Sequence, residues 1–406
     1  MFYRFHPAVH FDSAYPSQHE IRREILNLWK RYGLEKYTRF STPVATARKN
    51  RAGKWVINDN EAQYGFFDGI ICCIGVADQP KLPAFQGMEK YKGTTMHAKD
   101  FDGSGAKGKR VVVVGGAIGA VEALHTAINA GASHVDMLAR SDRWIIPRNA
   151  VAEIFVASFF LGERWYTTWF PEWLLKKLFY RDLQDVLPAV GMYNRSPVVT
   201  SELFDLIREG KATLRRGDII DMDEGGFRFN RRAKNVPRGG PGREEFIPAD
   251  LTIMATGWHR PSLHFLPPDC FEDPYQPPYW YLQVFPPKHP DICAINSTYV
   301  NAIGSSGHFH IGIYTRFLLT FLMDPLTRPT EKRMKNWINS TMASARLSSG
   351  PGLHFVTYGE LWYWFASVIL RNPFQWKWAL FAMTGNLSLM PQNIVKKERS
   401  LLFGED

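Results

Sequence analysis

The stretch "RVVVVGGAIGAVEALHTAINAGASHVDMLAR", residues 110–140, decides the fold. Four valines run into glycines, an alanine-rich stretch with helical spacing follows, and a second short apolar run closes the segment. That order predicts strand, tight turn, helix and strand, the unit that holds a dinucleotide. In such a unit the first glycine permits the turn out of the strand. The second lets backbone approach a pyrophosphate, and the third lets the helix lie close on the strand. Here the three positions are Gly115, Ala117 and Ala120. Alanine is a tolerated variant in third place, but in second place its methyl takes up room near the phosphates. Gly116 and Gly119 are at hand to let the loop relax. The glycine pattern alone leaves two readings open: a unit that binds a dinucleotide, and a βαβ unit that binds nothing. The end of the second strand favours binding. NAD sites place an acidic residue there for the ribose hydroxyls, and NADP sites place arginine near the extra phosphate. This strand ends in Arg140, Ser141 and Arg143, with Asp142 as an opposing charge, which favours NADPH over NADH.

Outward from that unit, 406 residues give room for two or three domains and a large buried core. A hydrophobic fraction of 45% is ordinary for a soluble enzyme, whereas 14% aromatic residues with 13 Trp is aromatic-rich. A net charge of +10 attracts anions such as phosphorylated cofactors, acidic lipid or nucleic acid. The longest basic cluster, "FNRRAKNVPRGGPGREE" (229–245), is broken by Gly and Pro and reads as a solvated loop, with no nucleic-acid motif beside it. Four cysteines (Cys72, Cys73, Cys270, Cys293) argue against a disulfide framework. The N-terminus lacks a signal-peptide pattern and no run approaches the roughly 20 apolar residues of a transmembrane helix. The expectation is a reduced, cytoplasmic protein.

Along the chain, "YPSQHEIRREILNLWKRYGL" (15–34) predicts a helix opened near Ser17, with Ile21, Ile25, Leu28 and Trp29 on one face. "GKWVIND" and "GIICCIG" read as strands, the second ending at Gly75 and turning Cys72 and Cys73 to opposite faces. "TSELFDLIREGKATLRRG" (200–217) is a short helix with a glycine stop, then a strand. "EFIPADLTIMATGW" (245–258) repeats the design of 66–75: an Asp, an apolar strand, then a Gly. "ICAINSTYV" (292–300) is another strand and "GIYTRFLLTFLM" (312–323) a buried helix. Strands alternating with helices imply an α/β protein with parallel, doubly wound sheets.

At this point the sequence resembles the flavin-containing monooxygenases. Their identifying motif is F-x-G-x-x-x-H-x-x-x-[YF], just ahead of the NADP unit. "YKGTTMHAKDF" (91–101) matches it with Tyr91 in place of Phe, then Gly93, His97 and Phe101. "DGIICCIGVADQPKLPAFQG" resembles the family's A-T-G strand and its proline turn, "RSDRWIIPR" its T-R-x-x-x-W stretch, and "DLTIMATGW" its second A-T-G strand. "SPVVTSELFDLIREGK" resembles the stretch between them, and together the matches cover most of 15–325 in the family's order. Phe101 stands where the related Baeyer–Villiger enzymes carry Trp, which makes ketone-to-ester oxidation the less favoured chemistry.

The resemblance implies two doubly wound, Rossmann-like dinucleotide-binding domains. An NADP domain at 105–245 would be inserted in an FAD-type domain made of 1–104 and 246–330, with a helical, aromatic-rich region at 331–406. Strands 70–74 and 251–255 would then share a sheet. The family opens with its own strand–G-x-G-x-x-G–helix unit for FAD, and no such unit stands before residue 110 here, so the FAD domain is expected to be incomplete. The family's pocket Asn goes with that region, and no catalytic residue is identified. Carried over by position, Gly115, Ala117, Ile118, Gly119 and Ala120 would line the NADP pyrophosphate. Arg140, with Ser141 beside it, would meet the 2′-phosphate. Gly75 and Gly257, ending the two A-T-G-like strands, would let backbone approach the cofactors. His97 either organises the crossover between domains or is a hydrogen-bonded core histidine.

The implied activity is an FAD- and NADPH-dependent monooxygenase that uses molecular oxygen on a lipophilic small molecule, of the kind met in specialised metabolism. In such enzymes the cofactor does the hard step, and the protein positions nicotinamide against flavin and keeps water out. Two rivals stand beside it: a non-catalytic NADP-binding relative acting as an interaction module, and an incomplete gene model. His308 and His310 form an H-x-H without further ligand types nearby, so no metal is expected. The aromatic, Lys- and Arg-bearing segments 151–180 and 361–383 suit an apolar substrate tunnel, a peripheral membrane surface, or an ordinary aromatic core.

Overall fold

A computed structural model describes residues 16–75, 77–148, 165–192, 197–200, 202–295, 306–346 and 373–385, with a few isolated positions besides. The four valines form a strand, and around it seven strands make one sheet. They are β1 (Thr94–His97), β2 (Arg110–Val114), β3 (His134–Ala139), β4 (Ala212–Asp223), β5 (Gly226–Arg231), β6 (Arg243–Pro248) and β7 (Leu251–Met254). The spatial order is β6-β5-β4-β3-β2-β7-β1. From β4 to β1 all neighbours are parallel, and β4–β5 and β5–β6 are antiparallel.

The valines alternate between two cores. Val111 and Val113 pack with Ala120, Leu124 and Leu251, whereas Val112 and Val114 pack with Phe227, Phe229 and Met254. A strand covered on both faces is an uninterrupted apolar run, as here. Helix Ile118–Asn129 buries Ala120, Val121, Ala123, Leu124 and Ala127 against the first core. Its small residues let it lie close to the sheet.

Two expectations change. Strands 70–74 and 251–255 do not share a sheet: Ile70–Cys72 pairs in parallel with Ile292–Ala294, and β7 lies between β2 and β1. All four residues of β7 are buried, so it needs cover on both faces, while Ile71 is 43% exposed and fits a one-sided ladder. The seven-stranded sheet therefore runs from Thr94 to Met254, beyond 105–245 at both ends. The basic segment 229–245 is largely loop, as expected, with its first and last three residues in the flanking strands. Phe227 and Phe229 point inward from β5, Arg228 binds Glu244 across the hairpin, and 232–242 connects β5 to β6. Helix Gln18–Arg31 does start at Ser17, which closes a capping box with Glu20, but Ile25 of its expected inward face is 51% exposed.

The motif around His97 is explained by contacts. Tyr91 donates to the carbonyl of Ala249 at 3.2 Å, and a Cβ on Gly93 would stand 2.2 Å from the Tyr91 hydroxyl. Phe101 is buried in the first core. Beyond the ladder, helices Ser306–Met323, Glu331–Arg346 and Pro373–Thr384 contribute to an aromatic core with Tyr281, Phe285 and Trp364, in keeping with the expected helical, aromatic-rich C-terminal region. Segment 151–180 is described from residue 165, as helix Trp165–Leu178, on which Trp169, Phe170 and Trp173 are exposed. Residues 151–164 and 296–305 lie outside the described residues, as do the side chains of His308 and His310. No described helix is long and apolar enough to cross a membrane.

Candidate functional site

The carboxyl ends of parallel strands in a doubly wound sheet open a crevice where ligands bind. Here that crevice is a cavity of about 900 Å³. The ends of β2, β3 and β7 feed it through Val114–Ala117, through Leu138, Arg140 and Ser141, and through Ala255–Gly257. One wall is Lys81–Phe85, and the opposite wall is the hairpin, with Gly217–Ile219, Arg238 and Gly239.

The glycines of the turn answer first to the protein. A Cβ on Gly115 would meet the carbonyl of Ala255 at 2.4 Å, and one on Gly116 would meet Ala139 Cβ at 2.9 Å. Ala117 sits at the helix N-cap with extended backbone and no side-chain cap. The N–H of Ala120 already donates to the Ala117 carbonyl at 2.9 Å, which leaves those of Ile118 and Gly119 without an acceptor in the helix, the arrangement that binds phosphate. A Cβ on Gly119 would meet nothing within 4 Å, so that side of the turn is open.

Of the ten residues singled out from the sequence, Gly115, Ala117, Arg140, Ser141 and Gly257 line the cavity. Ile118 stands on the outside of the helix start at 44% exposure, and Ala120 is fully buried against the sheet. Ala120 performs the helix-packing task of the third glycine. Gly75 is not among the lining residues. His97 is buried behind the lining: Nδ1 accepts from the N–H of Lys99 at 3.1 Å, so Nε2 carries the proton and donates to the carbonyl of Gly257 at 3.2 Å. The same carbonyl accepts from the N–H of Lys81 at 2.9 Å, which ties two walls together.

Electrostatically the cavity is basic. Lys81, Arg140, Arg143, Arg195 and Arg238 line it against a single acid, Asp218. Burial first, then the neighbouring Arg195 and Arg140, push the Arg143 pKa down. Asp142, the opposing charge in the sequence, is turned away into an ion pair with Arg216. Sequence reasoning missed Lys81, Arg195, Arg238 and His259. The signal for Arg238 was "PRGG" between two alternating strands, which marks a hairpin loop returning to the ends of the parallel strands.

These residues fit a phosphorylated dinucleotide: an open glycine turn, a helix N-terminus and an arginine cluster around one cavity. Ladder Ile70–Cys72/Ile292–Ala294 offers no second such cradle, since no described glycine turn runs from either strand into a helix N-terminus. Elsewhere Asp269, Cys270 and His289 bring ligand atoms within 4.8 Å of one another. The imidazole already bonds Asp269 at 2.9 Å, and burial raises the Cys270 thiol well above its ordinary range, which disfavours the thiolate a metal needs.

Comparison with known proteins agrees with this geometry. The profile of the FMO-like (flavin-binding monooxygenase-like) family matches residues 5–307. Flavin-containing monooxygenase 5 of Rattus norvegicus is 35% identical over 133 residues, 29% of this chain and 24% of the relative. Its counterpart from Cavia porcellus is 33% identical over 254 residues, 56% of this chain and 44% of the relative. The chain thus spans less than half the length of these curated relatives. Among solved structures, OTEMO in complex with FAD and NADP covers 84% of this chain and 78% of its own at a TM-score of 0.58, and its 17% identity shows the fold alone.

Proposed function

Because the chain belongs to the flavin-binding monooxygenase-like family, we propose that the cavity at the carboxyl ends of β2, β3 and β7 holds NADP(H) for a flavin-dependent monooxygenase reaction. The observation that carries this reading is the excess of arginine around an open glycine turn and a helix N-terminus. The coenzyme would supply a hydride, and the chain's residues bind and orient it. The N–H groups at the start of helix Ile118–Asn129 receive the pyrophosphate, and Arg140 with Ser141 receives the 2′-phosphate. Leu82–Phe85 exclude water from one side. His97 acts behind the lining, holding the Gly257 carbonyl and hence the turn after β7.

On this reading FAD and molecular oxygen are the other reactants, and the substrate is a lipophilic small molecule. The chain is expected to bind NADP⁺ in this cavity. The finer part of the reading is peripheral contact with an acidic lipid surface, through the exposed Trp169, Phe170 and Trp173 beside Lys176 and Lys177. The test of the main reading is calorimetric titration with NADP⁺ and NAD⁺. Tighter binding of NADP⁺ is expected, and equal affinities, or none, would overturn it.

A further inference from the structure

Arg232 is the most deeply buried arginine guanidinium in any ion pair of the described residues, with its side chain 4% exposed. It makes three contacts that join separate parts of the cavity rim. Nε lies 2.7 Å from Asp218 Oδ2, Nη1 donates to the carbonyl of Val236 at 2.8 Å, and Nη2 donates to the carbonyl of Arg140 at 2.6 Å. Asp218 in turn accepts from the N–H of Gly239 at 3.0 Å. One buried pair thus pins the hairpin loop at Val236 and Gly239, and pins the end of β3 at Arg140. Arg238 lies between the two pinned loop positions and lines the cavity that Arg140 also lines. The same contacts engage Asp218, the one acid on the lining. Neither Arg140 nor Arg238 has an ion-pair partner among the described residues.

We propose that Arg232 is the positioning residue of the phosphate pocket, and that Arg238, held by it on the hairpin, is a specificity-determining cation for the 2′-phosphate opposite Arg140. This rests on the coenzyme reading above. A guanidinium with two hydrogen bonds and one ion pair holds a loop in one geometry, which a flexible ammonium cannot reproduce in full. Removing it frees the loop, so Arg238 no longer points its charge at a fixed place.

The experiment uses the full chain and two probes that differ by one phosphate, 2′,5′-ADP and 5′-ADP, titrated by calorimetry. Wild type is expected to prefer 2′,5′-ADP. Arg238→Gln should reduce that preference about tenfold, the loss of one charged contact, with an unchanged melting temperature. Arg232→Met should give at least the same drop, Arg232→Lys should recover part of it, and Arg232→Met/Arg238→Gln should lose no more than Arg232→Met alone, because one residue acts through the other. Additive losses, or a preference unmoved by Arg238→Gln, overturn the proposal. That second outcome decides the matter even if Arg232→Met fails to fold. A wild type that binds neither probe, or both equally, instead sinks the coenzyme reading.

Discussion

Arg140 and Ala117 carry the sharpest expectations of any single residues. If Arg140 meets the 2′-phosphate, Arg140→Ala should erase most of the preference for NADPH over NADH, a loss of about 1.5–3 kcal/mol read by titrating both nucleotides. Ala117→Gly should leave binding as strong or stronger, since it only clears a methyl from the turn; weaker binding would mean that the methyl is a contact. The thiols are ranked by burial. Burial, with Cys73 adjacent, pushes the Cys72 thiol up to about 12, while Cys73 projects from the other face of the strand. A thiol reagent at mildly alkaline pH should therefore modify Cys73 in the native protein and spare Cys72, Cys270 and Cys293, as peptide mapping would report. At this scale much was legible in advance. The Gly115 turn, the alternation at Cys72–Cys73 and the arginine after β3 are all set by neighbours in sequence. Arg238 was not, because its place depends on a hairpin that folds back over 90 residues after Arg140.

Among the elements, β3, β4 and β6 are stitched by charge as well as by the ladder. Arg215 bridges Asp136 at 2.7 Å and Glu245 at 3.1 Å, and His134 stands 3.7 Å from Asp136. The hydrogen bond to Asp136 raises the His134 pKa above 6.5, so its contribution to stability is whole below 6.5 and is lost as pH rises through the higher folded value. Burial alone would raise the Asp136 carboxyl, but His134 and Arg215 outweigh it and hold it below 3.8. Its contribution is present above 3.8 and is lost as pH falls through the lower folded value. Melting temperature against pH for wild type and His134→Gln should converge at alkaline pH and separate in the mildly acidic range. Parallel curves would show that the pairing contributes nothing. Strand identities were legible from apolar runs, but strand partners were not. Residues 66–75 and 245–258 share one pattern of Asp, apolar run and Gly, and only cover on both faces sends Leu251–Met254 into the large sheet.

Across the whole molecule the two halves differ in how well they are closed. The seven-stranded sheet has a core on each face, whereas the ladder Ile70–Cys72/Ile292–Ala294 has two strands and leaves Ile71 and Ile74 exposed. Hydrogen exchange should be slowest at β2, β3 and β7 and markedly faster at Ile70–Cys72; equal protection would mean that the ladder is covered by something not visible in the contacts. The exposed Trp169, Phe170 and Trp173 make a separate statement about the exterior. Replacing Trp169 and Trp173 with Ala should abolish co-flotation with phosphatidylserine vesicles if the face is a membrane contact, and leave nucleotide binding unchanged.

The placement of β7 bears on how the chain is made. A ribosome delivers β1 and β2 early, yet the strand that belongs between them arrives about 140 residues later. Until then β1 and β2 lack the strand that joins them, with unpaired backbone edges on both sides of the gap and Val111–Val114 awaiting a second neighbour. Synthesis has to run past Met254 before the gap can shut, and a product ending at Pro248 would retain every element up to β6 and still lack the strand that joins β1 to the rest of the sheet. Such a fragment should bind a nascent-chain chaperone, or aggregate, where one extended by the next dozen residues would not. The last strand of the large sheet to leave the ribosome is thus the one that ties β1 to the rest of it.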